Sequence, residues 1–324
     1  DLFHARYAMC DRLNIEARVI ERFGKESTPS QRKGQLLIAT QVIEQSLDLD
    51  FDLMITDLAP IDLIIQRAGR LHRHSRDIEG KISAGADQRG TPILIINGPD
   101  PDRQISKEWF RVYFEGASRV YQNHGQLWLS AKLLKSKQCF HMPDDARKLI
   151  EGVYSENPAY DIPDELWENT FNAEGEAKAK SSLAELNALK LENGYTGVYE
   201  NQWWDDALTP TRLGDATITV YLARWDGNTL TPWAGKSEHP WPMSTVQLRQ
   251  QVISKEAIYK NITLEVINHC RDQLPAKGKW GVLLPLTEVK DVIWEGKALN
   301  KADQITSIYY SPVIGVVQEK ELES

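Results

Sequence analysis

The sequence predicts an α/β fold in which a parallel β-sheet with flanking helices is followed by a helical region and a smaller α+β domain. Short apolar runs alternate with helical stretches over residues 1–97, a pattern typical of a parallel sheet. Helical patterns continue from residue 106 to about residue 193. Seven of the ten tryptophans follow residue 200, among β-like runs. We therefore expect three domains, at residues 1–105, 106–196 and 197–324.

Three apolar runs in the first domain predict central strands. They cover residues 36–39, 53–55 and 93–96, and each is too short for a helix. A helix should begin near Pro60, because proline suits the first helical turn and Asp62 complements the positive end of the helix dipole. The first domain thus alternates strands with helices.

The middle of the chain is predicted to be helical. Residues 80–91 have the composition of a surface loop, and apolar side chains then keep helical spacing over residues 110–121 and 128–133. Residues 174–192 are rich in Ala, Glu, Lys and Leu, which favours a long exposed helix. Asn193-Gly194 is a suitable end for that helix.

The last domain is predicted from β-like runs at residues 216–225, 281–286 and 305–317. The first run enters a hairpin signal, Asp226-Gly227-Asn228. The tryptophans of this domain allow two interpretations. They stack on nucleic-acid bases, or they form the core of a small domain, and the second is favoured because tryptophan is highly buried on average.

Charge and cysteine content limit the partners and the compartment. The formal net charge of the 324-residue chain is −8, so a nucleic-acid partner must meet a local basic surface. Cys10, Cys139 and Cys270 suggest neither a metal site nor a disulfide framework, which favours a cytoplasmic location. No apolar run is long enough to span a bilayer and no signal peptide precedes the first domain, so we expect no membrane contact.

The opening at Asp1, inside a strand-like run, suggests a portion of a longer protein, a proteolytic fragment or one half of a split protein.

A basic segment follows Pro60. Residues 63–76 contain four arginines, two histidines and no acid. If residues 60–74 form one helix, Gln66, Arg70 and Arg73 share one face. Guanidinium groups match phosphate oxygens, so the segment is expected to face an anion. The alternative is a solvated basic helix that makes salt bridges elsewhere on the surface.

Gly69 lies inside that expected helix, where glycine costs about 1 kcal/mol relative to alanine. Close approach of backbone or of a nucleotide is the expected reason.

A second cluster follows the predicted strand at residues 36–39. Thr40 offers a hydroxyl to a phosphate or caps the next turn, and Asp48 offers a carboxylate to a ribose or to a neighbouring arginine. The alternative is an ordinary cap followed by surface acids.

The order of these residues resembles motifs V and VI of superfamily 2 helicases. The similar segments are Ala39-Thr40, Ser46-x-Asp48 and Gln66-Arg67-x-Gly69-Arg70-x-His72-Arg73, and His4-Ala5-Arg6 resembles motif IV. Many relatives have glycine where Ser46 stands.

Residues 41–48 and 71–74 more specifically resemble the CRISPR-associated helicase–nuclease recruited by Cascade in type I systems. Residues 210–215 and the strand that ends at Trp225 are similar to the C-terminal domain of that family.

This resemblance implies a second RecA-like domain, a helical linker and a C-terminal accessory domain. It also implies roles for individual residues. Arg70 and Arg73 would contact the ATP γ-phosphate as arginine fingers. The nucleotide would further contact Gln66, Gly69, Asp48 and Arg67, although Arg67 lies off the finger face and pairs with an acid of its own domain in the alternative interpretation. DNA would contact Thr40, His4, Arg6 and Arg212, the last of which pairs with Asp215 in the alternative. His72 and His74 would form hydrogen bonds near the nucleotide or a domain interface.

Several catalytic elements are absent from the sequence. It contains no Gly-x-x-x-x-Gly-Lys-[Ser/Thr] loop, no Asp-Glu-x-His magnesium box and no His-Asp nuclease cluster. By the resemblance, an upstream nuclease domain and the first RecA-like domain supply them, including most of the ATP–Mg²⁺ site and the nuclease metal site. This chain alone is therefore expected to bind ATP weakly and to be inactive.

The partners implied are single-stranded DNA, the upstream domains and the Cascade surveillance complex. Two other interpretations stay open. One is a different superfamily 2 motor, such as an RNA helicase. The other is a non-catalytic chain that binds the surveillance complex or a regulator.

Overall fold

The computed structural model describes residues 1–44, 47–187 and 217–318. Their contacts form two compact units, each built from segments that are distant in sequence. The mixed-sheet unit contains Asp1–Phe51, His72–Gly90 and the described part of Asp215–Ser324. The helical unit contains Asp52–Leu71 and the described part of Thr91–Gly214. The domain boundaries expected from the sequence stay a prediction.

The mixed-sheet unit begins with a small parallel sheet. Strand β1 (Leu2–Phe3) pairs in parallel with β2 (Ile38–Ala39). Between them lie α1 (Met9–Phe23) and α2 (Pro29–Arg32). A 3-10 helix at Gln41–Glu44 follows β2. The connection between the two strands is therefore helical, as parallel pairing requires.

An eight-stranded sheet forms the rest of this unit, in the order β12-β11-β10-β9-β5-β6, with β7 also paired to β5 and β8 to β10. Its strands are β5 (Thr217–Trp225), β6 (Leu230–Pro232), β7 (Thr245–Arg249), β8 (Lys255–Glu256), β9 (Gly281–Lys290), β10 (Ile293–Leu299), β11 (Ile305–Ser311) and β12 (Gly315–Gln318). Two helices lie among them, α8 (Pro240–Met243) and α9 (Leu264–Gln273), together with a 3-10 helix at Pro275–Gly278. The pairing of β5 with β9 is parallel and the other pairings are antiparallel.

Both faces of β5 are buried, because successive side chains of a strand point to opposite faces. Val220 and Leu222 pack in one core with Ile308, whereas Tyr221 and Ala223 pack in another with residues of α9. The middle of β5, residues 220–223, is therefore buried on both faces and apolar, as expected for a strand that is covered on both sides.

The N-terminal segment is joined to this sheet by a polar cluster. One oxygen of Asp11 accepts hydrogen bonds from Trp233 Nε1 at 2.7 Å and from the Tyr310 hydroxyl at 2.5 Å. The Tyr310 oxygen in turn accepts the backbone N–H of Ala8 at 2.9 Å. Burial, followed by the charge of Asp11, raises the pKa of Tyr310, so the hydroxyl keeps its proton and continues to donate. This cluster fixes the start of α1 against β11.

The helical unit combines a second parallel strand pair with a group of helices. Strands β3 (Leu53–Asp57) and β4 (Ile93–Asn97) pair in register from Leu53↔Ile93 to Asp57↔Asn97. The helices are α3 (Ile61–Ala68), α4 (Glu115–Ser118), α5 (His124–Lys137), α6 (Ala146–Tyr154) and α7 (Asp164–Asn187). Their core includes Trp109, Phe110 and Leu127. In the described ranges of the chain, none of the helices is both long and apolar enough to cross a bilayer.

The α/β fold class is confirmed, with parallel and mixed sheets and several helices. The strands predicted at residues 53–55, 93–96 and 216–225 are present as β3, β4 and β5. The run at residues 305–317 forms two strands instead of one, because the chain turns over residues 312–314 and re-enters the sheet at Gly315, whose φ is +74°. The expected helix end at Asn193-Gly194 lies outside the described residues.

The helix predicted over residues 60–74 is too long. Helix α3 ends at Ala68, and the backbone N–H of Gly69 bonds to the Ile65 carbonyl at 3.0 Å as the last helical contact. Three residues later, His72 has a φ of +47°, in the left-handed region that ends a right-handed helix. Gln66, Arg70 and Arg73 therefore do not share one helical face.

Gly296 of β10 is expected to be sensitive to substitution. A Cβ at this position would lie 2.7 Å from the Pro285 carbonyl oxygen and 2.9 Å from methyl groups of Leu284 and Leu286. Gly296→Ala should lower the free energy of unfolding by about 1–3 kcal/mol through overpacking, measured by urea denaturation. Gly175→Ala in α7 is the control, because open space surrounds that glycine and alanine favours a helix. Equal stability of the two variants would contradict the close approach.

Candidate functional site

Three of the residues singled out in the sequence meet on the surface of the mixed-sheet unit. One oxygen of Asp48 lies 2.7 Å from Arg73 Nε and 2.9 Å from His74 Nε2. The side chains of Arg73 and Asp48 are 45% and 52% exposed, so both are accessible to a ligand. Burial opposes ionisation of Asp48, but hydrogen bonds and charges from His74 and Arg73 outweigh it and lower the pKa of this carboxyl. Asp48 is therefore an anion that neutralises Arg73.

A buried ion cluster lies beneath this surface. Asp50 is 0% exposed and accepts a hydrogen bond from Arg76 Nε at 2.6 Å. The same carboxylate lies 3.1 Å from Arg89 Nη2 and 3.7 Å from Arg32 Nη1. Arg76 is also 0% exposed. A single buried carboxylate thus faces three guanidinium groups, an arrangement in which each charge depends on the others.

Arg76 also satisfies backbone carbonyl groups of two loops, residues 24–27 and the loop that contains Gly80. Its guanidinium donates to the carbonyl oxygens of Gly24, Lys25, Ser27 and Gly80 at 2.9 to 3.2 Å. These loops lie far apart in sequence, so Arg76 holds them together. Because Arg76 and Asp50 lie two or three residues from Arg73 and Asp48, the buried pair also positions the surface pair.

Asp87 completes the cluster from the loop before β4. Its carboxylate accepts hydrogen bonds from Arg89 Nη2 at 2.6 Å and from the backbone N–H of Arg76 at 3.1 Å. Burial opposes ionisation, but the contacts with Arg89 and Arg76 prevail and lower the pKa of Asp87 to about 2. The buried ring of His72 lies 3.4 Å from the same carboxylate, and its backbone N–H bonds to the Phe51 carbonyl.

The other residues proposed for the nucleotide belong to the helical unit. Gln66 is exposed on α3, and its backbone carbonyl accepts a hydrogen bond at 2.9 Å from Arg70, which is 7% exposed. Arg67 donates to the hydroxyl of Thr56 at 2.7 Å and to that of Tyr121 at 3.1 Å. A Cβ on Gly69 would lie 3.5 Å from the nearest atoms, an ordinary contact, so nothing within the described chain requires glycine there.

Three of the residues proposed for DNA lie close together beside the β1–β2 pair. The backbone N–H of Thr40 bonds to the carbonyl of Phe3, the residue before His4, at 3.1 Å, and the backbone N–H of Arg6 donates to His4 Nδ1 at 3.1 Å. Thr40 and Arg6 are exposed on the mixed-sheet unit. His4 stacks on Tyr7 with ring centroids 4.5 Å apart, and its Nε2 lies 3.1 Å from the Ile314 carbonyl oxygen, so it is held by its own unit. Arg212 and Ser46 lie outside the described residues.

The sequence analysis missed the buried cluster. It offered Asp48 to a ribose or to a neighbouring arginine, and Asp48 pairs with Arg73, but it gave no role to Asp50, which pairs with Arg76. One signal was available. Asp50 stands between Leu49 and Phe51, which are both buried, and an acid in such an apolar run is buried with a cationic partner.

Removing the charge of Asp50 should destabilise the fold. Asp50→Asn leaves Arg76 buried without its full counter-ion, so the free energy of unfolding should fall by about 3–5 kcal/mol in urea denaturation. Glu79→Gln is the matched control, because it removes the carboxylate of an exposed ion pair with Lys81 and should have little effect. A small loss in Asp50→Asn, similar to that of the control, would argue against a structural role of the cluster.

Asp87 should make stability depend on pH. Its pKa is about 2 in the folded chain and about 3.9 in an unfolded one, so its contribution is present above about pH 4 and is lost as the pH falls towards 2. Asp87→Asn should lower the free energy of unfolding by about 1–2 kcal/mol at neutral pH, after discounting for solvent screening. Urea titrations at a series of pH values should show this difference shrinking in acid. A difference that stays constant down to the folded pKa would refute the assignment.

A family model and a relative of known sequence indicate the same protein family. Residues 1–76 match the family described as CRISPR-associated nuclease/helicase Cas3, C-terminal. The chain is 34% identical over 230 residues to the CRISPR-associated endonuclease/helicase Cas3 of Thermus thermophilus, which covers 71% of this chain and 21% of that protein. It therefore spans about a fifth of the length of this relative.

Solved structures share the fold. The T. fusca Cas3-ATP crystal structure matches 98% of this chain and 35% of its own, with a TM-score of 0.66 and 23% identity. A CRISPR RNA-guided surveillance complex in a pre-nicking state contains a chain that matches with a TM-score of 0.58 and 22% identity, covering 98% of this chain and 37% of that one. This chain is therefore similar in sequence and in fold to the C-terminal region of the CRISPR-associated Cas3 nuclease/helicases.

Proposed function

We propose that this chain is the C-terminal part of an ATP-dependent single-stranded-DNA translocase and helicase–nuclease that unwinds and degrades invading DNA in CRISPR interference. Its contribution is the arginine side of an ATP site. The observation that supports this most directly is the accessible Arg73, which is held by Asp48 and positioned by the buried pair of Asp50 and Arg76. An arginine that is both fixed and accessible suits contact with a phosphate.

In this proposal, Arg73 acts as an arginine finger. Negative charge spreads over the oxygens of the γ-phosphoryl group as it is transferred, and a guanidinium offsets that charge. Arg73 exchanges its contact with Asp48 for the phosphate. His74 keeps a contact with Asp48, so the displaced carboxylate retains a hydrogen-bonding partner.

Arg70 is the second proposed finger. It is 7% exposed and bonded to the Gln66 carbonyl, so it must leave that carbonyl to reach a phosphate. Gln66 and Gly69, which are both exposed, are proposed to contact the nucleotide. Arg67 is also proposed to contact the nucleotide. Its hydrogen bonds to Thr56 and Tyr121 fix the guanidinium beside α3.

The remaining parts of the ATP site are assigned to other domains of the full-length protein. ATP binds with Mg²⁺, and the phosphate loop and magnesium ligands come from the first RecA-like domain. The likeness to the T. fusca Cas3-ATP fold supports a nucleotide site in this family. The nuclease metal is bound by an upstream domain.

The DNA and protein partners are also proposed. Single-stranded DNA contacts Thr40 and Arg6, with His4 and Arg212 as further contacts. Thr40 and Arg6 are exposed, which such contact requires. The Cascade surveillance complex is the proposed recruiting partner, supported by the likeness to a chain in a pre-nicking surveillance complex.

The decisive experiment is Arg73→Ala in the full-length protein, with ATPase activity stimulated by single-stranded DNA as the readout. Loss of a finger should lower kcat on the order of 10³-fold, because transition-state charge loses its counter-charge. Arg147→Ala is the matched control, an exposed arginine on α6 that is paired with Glu151. Wild-type turnover in Arg73→Ala would rule out the finger, and so would an equal loss in the control.

A further inference from the structure

The mixed-sheet unit contains an open groove that lies away from the ion cluster around Asp50. It has a volume of ≈ 550 Å³ and is lined at the starts of β5 and β9 by Thr219, Gly281 and the neighbouring Trp280. Three basic residues, Lys255, Arg271 and Lys279, also line it, against one acid, Glu256. This lining is basic in a chain with a net charge of −8.

Trp280 is 54% exposed, whereas Trp233 and Trp241 are buried in the cores of the same unit. Because more than half of its surface is exposed, the Trp280 side chain is not part of either core. The ammonium of Lys279 lies 4.4 Å from the centroid of its ring. The groove therefore offers an aromatic face and a cation at one point.

The backbone beneath Trp280 is held closely. Trp280 directly precedes Gly281, where a Cβ would lie 2.5 Å from the Tyr221 ring and 2.7 Å from the Thr219 carbonyl oxygen. Gly281 also pairs with Thr219 of β5. Because the strands approach so closely, the indole is mounted on a rigid edge and loses little freedom when it binds.

The charged residues across the groove are also fixed. Glu256 accepts a hydrogen bond from the backbone N–H of Leu283 at 3.1 Å and forms an ion pair with Arg271, so the negative charge of Glu256 is compensated. Lys255 reaches Asp303 at 2.9 Å through side chains that are 63% and 64% exposed. Such exposed pairs are weak in water, so Lys255 can turn to a phosphate at little cost.

We propose that this groove binds single-stranded nucleic acid. One base stacks on Trp280, and Lys279 and Lys255 contact the phosphates on either side. This combination of an aromatic platform with a basic track is how proteins hold single strands without reading their sequence. The proposal concerns a different surface from the arginine site and does not depend on ATP.

The test is binding of the 324-residue chain to a fluorescent oligothymidylate of about 20 nucleotides, measured by anisotropy without ATP. Trp280→Ala should weaken binding about tenfold, and Trp280→Phe should restore much of it, because stacking needs a ring and not an indole. Lys279→Ala should weaken binding and reduce its dependence on salt. An oligouridylate of equal length separates DNA from RNA as the source of the strand.

Trp167→Ala is the matched control, since Trp167 is 52% exposed on α7 in the helical unit. All variants should melt like the wild type, because Trp280 lies outside both cores of its unit. Unchanged affinity in Trp280→Ala, an equal loss in Trp167→Ala, or no binding by the wild type would overturn the proposal. If the groove binds a protein instead, Trp280→Ala should bind the oligonucleotide with unchanged affinity. Failure here leaves the ATPase test of Arg73 unaffected.

Discussion

The carboxylate of Asp50 is the constraint on which the arginine site depends. It is fully buried, and Arg76, Arg89 and Arg32 converge on it. Three guanidiniums so close together would repel one another without it, and Asp50 would carry a heavy desolvation cost without them. The loops that contribute to the site are held by this mutual requirement more than by regular secondary structure, because Arg76 bonds to their carbonyl groups.

A second polar cluster within the mixed-sheet unit has a comparable role. Asp11 near the start of the chain binds Trp233 and Tyr310 near its end. Residues separated by about three hundred positions thus fold as one unit. Such contacts between distant segments leave no mark in the local sequence pattern, and the domain boundaries expected from composition stay a prediction.

The elements that follow local rules were predictable. Strands β3, β4 and β5 were visible as apolar runs in the sequence. Burial on both faces explains that pattern for β5, whereas Leu53, Ile55, Ile93 and Ile95 of β3 and β4 are between 46% and 68% exposed. The end of α3 was not visible, since Gly69 was interpreted as a residue inside a helix and the left-handed backbone of His72 has no sequence signal. The arginine-rich segment was found, and Asp48 was offered as a partner for an arginine, but the pairing of Asp50 with Arg76 was not found, because these two residues are 26 positions apart in the sequence. The roles of individual residues towards ATP and DNA stay predictions.

In the proposed function, the contact between Asp48 and Arg73 would make phosphate binding an exchange of anions. Before any phosphate arrives, Arg73 already has a carboxylate as counter-ion, and the two charges largely cancel. A phosphate therefore gains the difference between two ionic contacts and not the whole attraction of a bare guanidinium. Because both side chains are about half exposed, water screens the pair, so a phosphate that carries more charge than a carboxylate can displace Asp48 at little cost.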